Sequence, residues 1–152
     1  MRRFALCVLA LSLVLLTTGC EDDELSLTAT QLRIQALLDQ LHVADQEVDA
    51  FKAANGGSLP TGYTESGSNP IVRTYTNYPN ANGVLISGTD SLTAPPPPQN
   101  GSMDMEFSGG SVGSLVRLRL NMTIPASGPR VCTLCKLDET DVTEEAQGLF
   151  DQ

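Results

Sequence analysis

The stretch TATQLRIQALLDQLHVADQEVDAFKAAN, residues 28–55, decides the fold. Ile34, Leu37, Leu38, Leu41, Ala44, Val48 and Phe51 follow one another in steps of three and four, which stacks them as one apolar stripe along a helix. Arg33, Asp39, Gln40, Gln46, Glu47 and Lys52 fall largely off that stripe. Thr28 and Gln31 have capping-box spacing, in which each side chain bonds the other's backbone N–H. Asn55-Gly56-Gly57 offers left-handed backbone, and Pro60 cannot continue a helix. At a rise of 1.5 Å per residue, a helix over most of this stretch is about 39 Å long. Its stripe needs a partner surface, and no second long helical pattern follows, so the expected partner is a sheet.

The chain beyond is strand-like. Ile71 to Thr76 is rich in β-formers, Pro79-Asn80-Ala81-Asn82-Gly83 makes a turn, and Val84 to Ser87 returns. Four prolines, Pro95 to Pro98, favour polyproline II and interrupt any sheet. Met103 to Phe107 alternates apolar with acidic residues. After Gly109-Gly110, the residues Val116, Leu118, Leu120, Met122 and Ile124 alternate with Arg117, Arg119, Asn121 and Thr123, the clearest period of two in the chain. Val131-Cys132 continues the meander, and Asp141 and Glu144 open a short acidic C-terminal helix. The expected architecture is α+β, a long N-terminal amphipathic helix on an antiparallel sheet, in one domain over residues 28–152.

Upstream lies a different kind of segment. Arg2 and Arg3 precede an uncharged, mostly apolar run of 13 residues, Phe4 to Leu16. That run is too short to span a bilayer, which takes about 20 residues, and reads as an export signal. Thr17-Thr18-Gly19-Cys20 closes it and Glu21-Asp22-Asp23-Glu24 follows. Thr18, Gly19 and Cys20 resemble the lipobox of bacterial lipoproteins, with Thr17 where Leu is usual. The resemblance implies that residues 1–19 are removed as a signal peptide and that Cys20 is lipidated and becomes the mature N-terminus. Residues 20–27 then form an acidic tether. The implied location is the cell envelope, held to the outer or inner membrane by the N-terminal lipid with the domain facing periplasm or exterior. A plain secretory signal cut elsewhere is the alternative.

Without Arg2 and Arg3, seven of the nine basic residues remain against 18 acidic ones, a net charge of about −11. Nucleic-acid binding depends on Lys and Arg neutralising phosphates, so no nucleic-acid partner is expected. Such acidity keeps a surface soluble.

The helix and its sequel also resemble type IV pilins and pseudopilins. In those families a long N-terminal helix packs on an antiparallel sheet, and an aromatic residue, Asn-Gly and an apolar-Pro-Thr turn end the helix. Phe51, Asn55-Gly56 and Leu59-Pro60-Thr61 are similar. The resemblance implies a pilin-like fold and an accessory role in a secretion or pilus system. The prepilin signal of those families is absent, and a lipobox stands in its place.

Few residues suggest chemistry. With Cys7 in the signal and Cys20 lipidated, Cys132 and Cys135 remain in an oxidising compartment, where a local structural disulfide is expected. A redox CxxC wants a helix N-terminus directly after it, and the helical signal starts only near Asp141. A zinc site wants four ligands, and His42 is the only histidine, so no metal or cofactor is expected. Lys136, not His, follows Cys135, which disfavours haem attachment. His42 beside the stripe is read as structural, since triads and metal hydrolases need a positioned base. Asp138, Glu139 and Asp141 offer oxygens to Ca²⁺ without EF-hand spacing. Tyr63, Tyr75 and Tyr78 among polar loops are candidates for an exposed binding surface. No catalytic set emerges. The expectation is a non-enzymatic envelope lipoprotein that binds another envelope protein, with a pilin-like accessory subunit and a thiol-redox protein using Cys132 and Cys135 as alternatives.

Overall fold

The computed structural model describes residues 27–150. The expected signal peptide, Cys20 and all of the tether except Leu27 lie outside the described residues. Helix α1 (Ala29–Ala54) is followed by seven strands, β1 (Tyr63–Ser66), β2 (Ile71–Pro79), β3 (Val84–Leu92), β4 (Gln99–Gly109), β5 (Gly113–Ile124), β6 (Val131–Leu137) and β7 (Thr140–Asp141), and then by α2 (Thr143–Phe150). The strands form one antiparallel sheet in the order β1-β2-β3-β4-β5-β6-β7, so every strand pairs with its neighbour in sequence. The α+β expectation holds: a long helix lies on an antiparallel sheet.

The caps of α1 are those its sequence encodes. Thr28 Oγ1 accepts from the Gln31 N–H at 3.1 Å, and Gln31 Oε1 accepts from the Thr28 N–H at 2.8 Å. At the other end the Asn55 N–H and side chain both donate to the Phe51 carbonyl, and Gly56 and Gly57 take positive φ. Ile34, Leu37, Leu41, Ala44 and Val48 are buried. Phe51 is 41% exposed, so the buried stripe stops a turn earlier than its periodicity suggests.

The helix runs across the strands. Near its start Gln31 Nε2 donates to the Glu145 carbonyl of α2, which packs on β6. At mid-helix Gln40 accepts from Asn80 and Asn82, and Glu47 from the Ala81 N–H, all in the β2–β3 turn. Near its end Lys52 pairs with Glu65 of β1 at 2.9 Å. Seven strands at about 4.8 Å spacing make a sheet about 29 Å wide, and a 26-residue helix covers that width on the diagonal.

One sheet face is therefore core. Tyr75, Gly88, Met105, Leu118 and Leu137 form one cross-strand row on it, flanked by rows containing Ile86, Phe107 and Val116 and containing Asp90, Leu120 and Cys135. The opposite face carries Thr74, Thr89, Asp104, Arg119 and Lys136 in register. This is the alternation expected of an antiparallel sheet covered on one side. Gly88 allows the closest approach: a Cβ there would lie 2.2 Å from the Asp104 carbonyl oxygen, at φ +130°.

One expectation needs correction. Tyr63, Tyr75 and Tyr78 are all buried, with rings edge-on at centroid separations of 4.9 and 5.9 Å, so they build core and offer no binding surface. Each points inward because β1 and β2 place it on the covered face, and a bulge between Tyr75 and Tyr78 keeps both there. Cys132 and Cys135, expected as a disulfide, are both buried and carry free thiols in this structure. They lie three residues apart on strand β6.

Candidate functional site

The two thiols define the most unusual spot in the core. Residues three apart on a strand normally face opposite ways. Here Leu120 opposes Cys135, Asn121 opposes Leu134 and Met122 opposes Cys132, so Thr133 is an extra residue. The bulge turns Cys132 and Cys135 to the same face. Helix α2 covers them. Gln147 Oε1 accepts from the Cys132 N–H at 2.6 Å and Thr143 Oγ1 from the Cys135 N–H at 2.8 Å, so α2 also satisfies the outer edge of β6. Burial, together with the neighbouring Cys132, Asp141 and Glu145, pushes the Cys135 thiol up to about 12. Burial also raises Cys132, whose thiol donates to the Leu134 carbonyl. Raised thiols are the reverse of what thiol-redox work requires.

A second constellation lies between α1 and the sheet. Arg73 donates to Asp45 of α1 at 2.9 Å and to both oxygens of Asp90, and the Tyr75 hydroxyl donates to Asp45. Burial raises Asp90 and the Arg73 charge opposes it. Burial works against the Arg73 charge, and Asp90 and Asp45 more than offset it, so its pKa rises. Tyr63 donates to Glu65 at 2.7 Å, and Lys52 donates to the same carboxylate. Burial opposes ionisation of Glu65, but these hydrogen bonds outweigh it and lower its pKa. Every charge in this group has a protein partner, which makes it a clamp between helix and sheet.

The open face is polar. Arg117 grips Asp104 through two bonds of 2.6 and 2.7 Å, which lowers the Asp104 pKa. Arg119 pairs with Glu139. A shallow cleft of about 350 Å³ is lined by Ser91, Thr93, Asn100, Ser102, Asn121 and Thr123, among others, with no charged side chain. The acidic turn expected as a possible Ca²⁺ ligand set is used internally: Asp138 accepts from the Arg117 N–H, Glu139 binds Arg119, and Asp141 accepts from Thr143. Among the described residues no three His, Cys, Asp or Glu side chains converge as a metal site. His42 Nε2 meets the Gln46 side chain at 2.9 Å, and its buried Nδ1 has no partner. It sits alone, with no nucleophile or carboxylate bonded to it.

Comparison with family models, with curated proteins and with solved structures finds no match to this chain.

Proposed function

We propose that the chain is a lipid-anchored envelope protein with a binding or structural role and no catalysis of its own. The observation that carries this reading is the signal ending in Thr18-Gly19-Cys20. Several buried acyl chains hold a protein at a bilayer, whereas one alone is marginal. The capping box at Thr28 supports it, because the N-cap of α1 stands only eight residues after Cys20 and leaves a short tether. Among the described residues no helix is long and apolar enough to cross a membrane. The polar open face, with its Ser, Thr and Asn rows and two arginine–carboxylate pairs, is the surface available to a partner protein. The raised thiols speak against the thiol-redox alternative.

Intact mass of the detergent-extracted protein tests the anchor. The expected species starts at Cys20 and carries added acyl mass, and Cys20→Ser moves the protein to the soluble fraction. An unacylated wild-type chain, or a Cys20→Ser protein still firmly membrane-bound, overturns the reading. The long helix laid across an antiparallel sheet favours a second reading, a lipid-anchored pilin-like accessory subunit. It predicts co-purification with a secretion or pilus assembly after in-cell cross-linking.

A further inference from the structure

All five sulfur-bearing residues among the described residues lie on the covered face of the sheet. Met103 is in register with Leu120 and Cys135, Met105 with Leu118, and Met122 with Cys132. Cys132, Cys135 and Met122 share one end of that face. The Thr133 bulge brings both cysteines to one face, and Met122 stands directly opposite Cys132, at a typical cross-strand Cβ separation of about 5 Å. Gly101 faces Met122 from β4, and a Cβ there would come within 3.3 Å of Met122 Cγ, so glycine leaves that thioether its room. Cys132 and Cys135 are 6% and 0% exposed, whereas Met122 is partly exposed.

Ligand softness selects the ion. Thiolate and thioether sulfur prefer soft cations, and carboxylate oxygens prefer hard ones. No carboxylate or imidazole joins these three sulfurs in a metal site, and zinc and iron–sulfur centres want four strong ligands. A closed-shell monovalent ion is satisfied by two or three sulfurs.

We propose that Cys132, Cys135 and Met122 form a binding site for one Cu(I) ion. Two thiols lose their protons, two copper–sulfur bonds form, and the Met122 thioether adds a neutral third donor. The copper arrives and leaves as Cu(I), so no electron is transferred. The Cys132 thiol gives up its hydrogen bond to the Leu134 carbonyl, and the centre carries one negative charge beneath α2.

The test is an anaerobic titration of the reduced mature protein with Cu(I) against a chromophoric Cu(I) chelator. Native mass spectrometry with Ag(I) supplies a redox-inert count. The expected result is one ion per chain, with sulfur-to-copper charge-transfer absorption and loss of both alkylatable thiols. Cys132→Ser and Cys135→Ser each abolish it, and Met122→Leu weakens it about tenfold, as removing a supporting group at a metal does. Two protons leave per ion, so apparent affinity rises up to about a hundredfold per pH unit below the thiol pKa values. Should a serine variant fail to fold, release of two protons per bound Ag(I) by the wild-type protein, read in a pH-stat, replaces it. Zero bound silver, binding that survives both serine variants in folded protein, or undiminished affinity in Met122→Leu overturns the proposal.

Discussion

Arg73 stands between two carboxylates on different elements, Asp45 of α1 and Asp90 of β3, and it is the cation that lets both sit near the core. Arg73→Met leaves two partly buried acids facing each other. The expected loss is about 3 kcal/mol, at the lower end for a broken buried pair because the guanidinium retains some solvent contact. Urea denaturation measures it. Adding Asp90→Asn relieves much of the damage, so the double variant is more stable than the sum of the single effects predicts. The buried tyrosines and thiols set an alkaline limit. Burial raises Tyr63, Tyr75 and Cys135, so the native state keeps protons that the unfolded chain releases. Stability is complete below the ordinary thiol value near 9 and declines as pH rises toward 12. Thermal melts at pH 8, 9.5 and 11 that show no decline contradict this.

At the scale of elements, α1 is held by local chemistry that mutation can address. Thr28→Ala removes one half of the capping box and costs about 1 kcal/mol, read from the denaturation midpoint. The glycines separate two kinds of constraint. Gly83 lies at φ +72° with open space around it, so Gly83→Ala carries only backbone strain of about 1 kcal/mol. Gly88→Ala adds a collision with the backbone of β4 and costs more than about 3 kcal/mol, enough to lower the melting temperature by several degrees. Element boundaries were legible where caps and period agree. Thr28 and Asn55 bound the helix as read, and the alternation from Val116 to Ile124 falls inside β5. Strand β1 was not legible, because only Tyr63 of its four residues is buried. The shared orientation of Cys132 and Cys135 was hidden for a different reason. A bulge breaks the period of two, and nothing in Cys-Thr-Leu-Cys announces which residue is extra. Met122 as a neighbour of Cys132 depends on strand register, which sequence spacing does not state.

For the whole molecule, the acids set the lower pH limit. Asp104 and Glu65 have depressed pKa values, so their contribution is present above the ordinary carboxylate range and is lost as pH falls through the folded values. The protein is expected to lose stability progressively below about pH 4. Added salt costs little, since the half-exposed Arg117–Asp104 pair is screened by solvent. The architecture itself, one long helix and then a meander, followed from a stripe that needed covering. That the helix would run across all the strands did not, because the direction of crossing is set by partners such as Glu145, Asn80 and Glu65 that lie far apart in sequence.

The meeting of α1 and α2 carries a further consequence. Gln31 touches Glu145, so the first and last helices adjoin while the strands between them are joined only to their sequence neighbours. Chain connectivity is thus a closed circuit in space with its gap at one seam, and the gap can be moved. A circular permutant that links residue 150 to residue 28 through a short flexible peptide, and opens between Ser127 and Gly128 in the β5–β6 loop, should fold to the same structure. Gly128 has no neighbour within 4 Å of where a side chain would begin, so new ends are accommodated there. In the permutant the sheet is cut into β6–β7 and β1–β5, and β5 must find β6 across the whole length of the chain. Its folding rate should drop by more than its stability, which would mark that pairing as the local step the natural order makes easy.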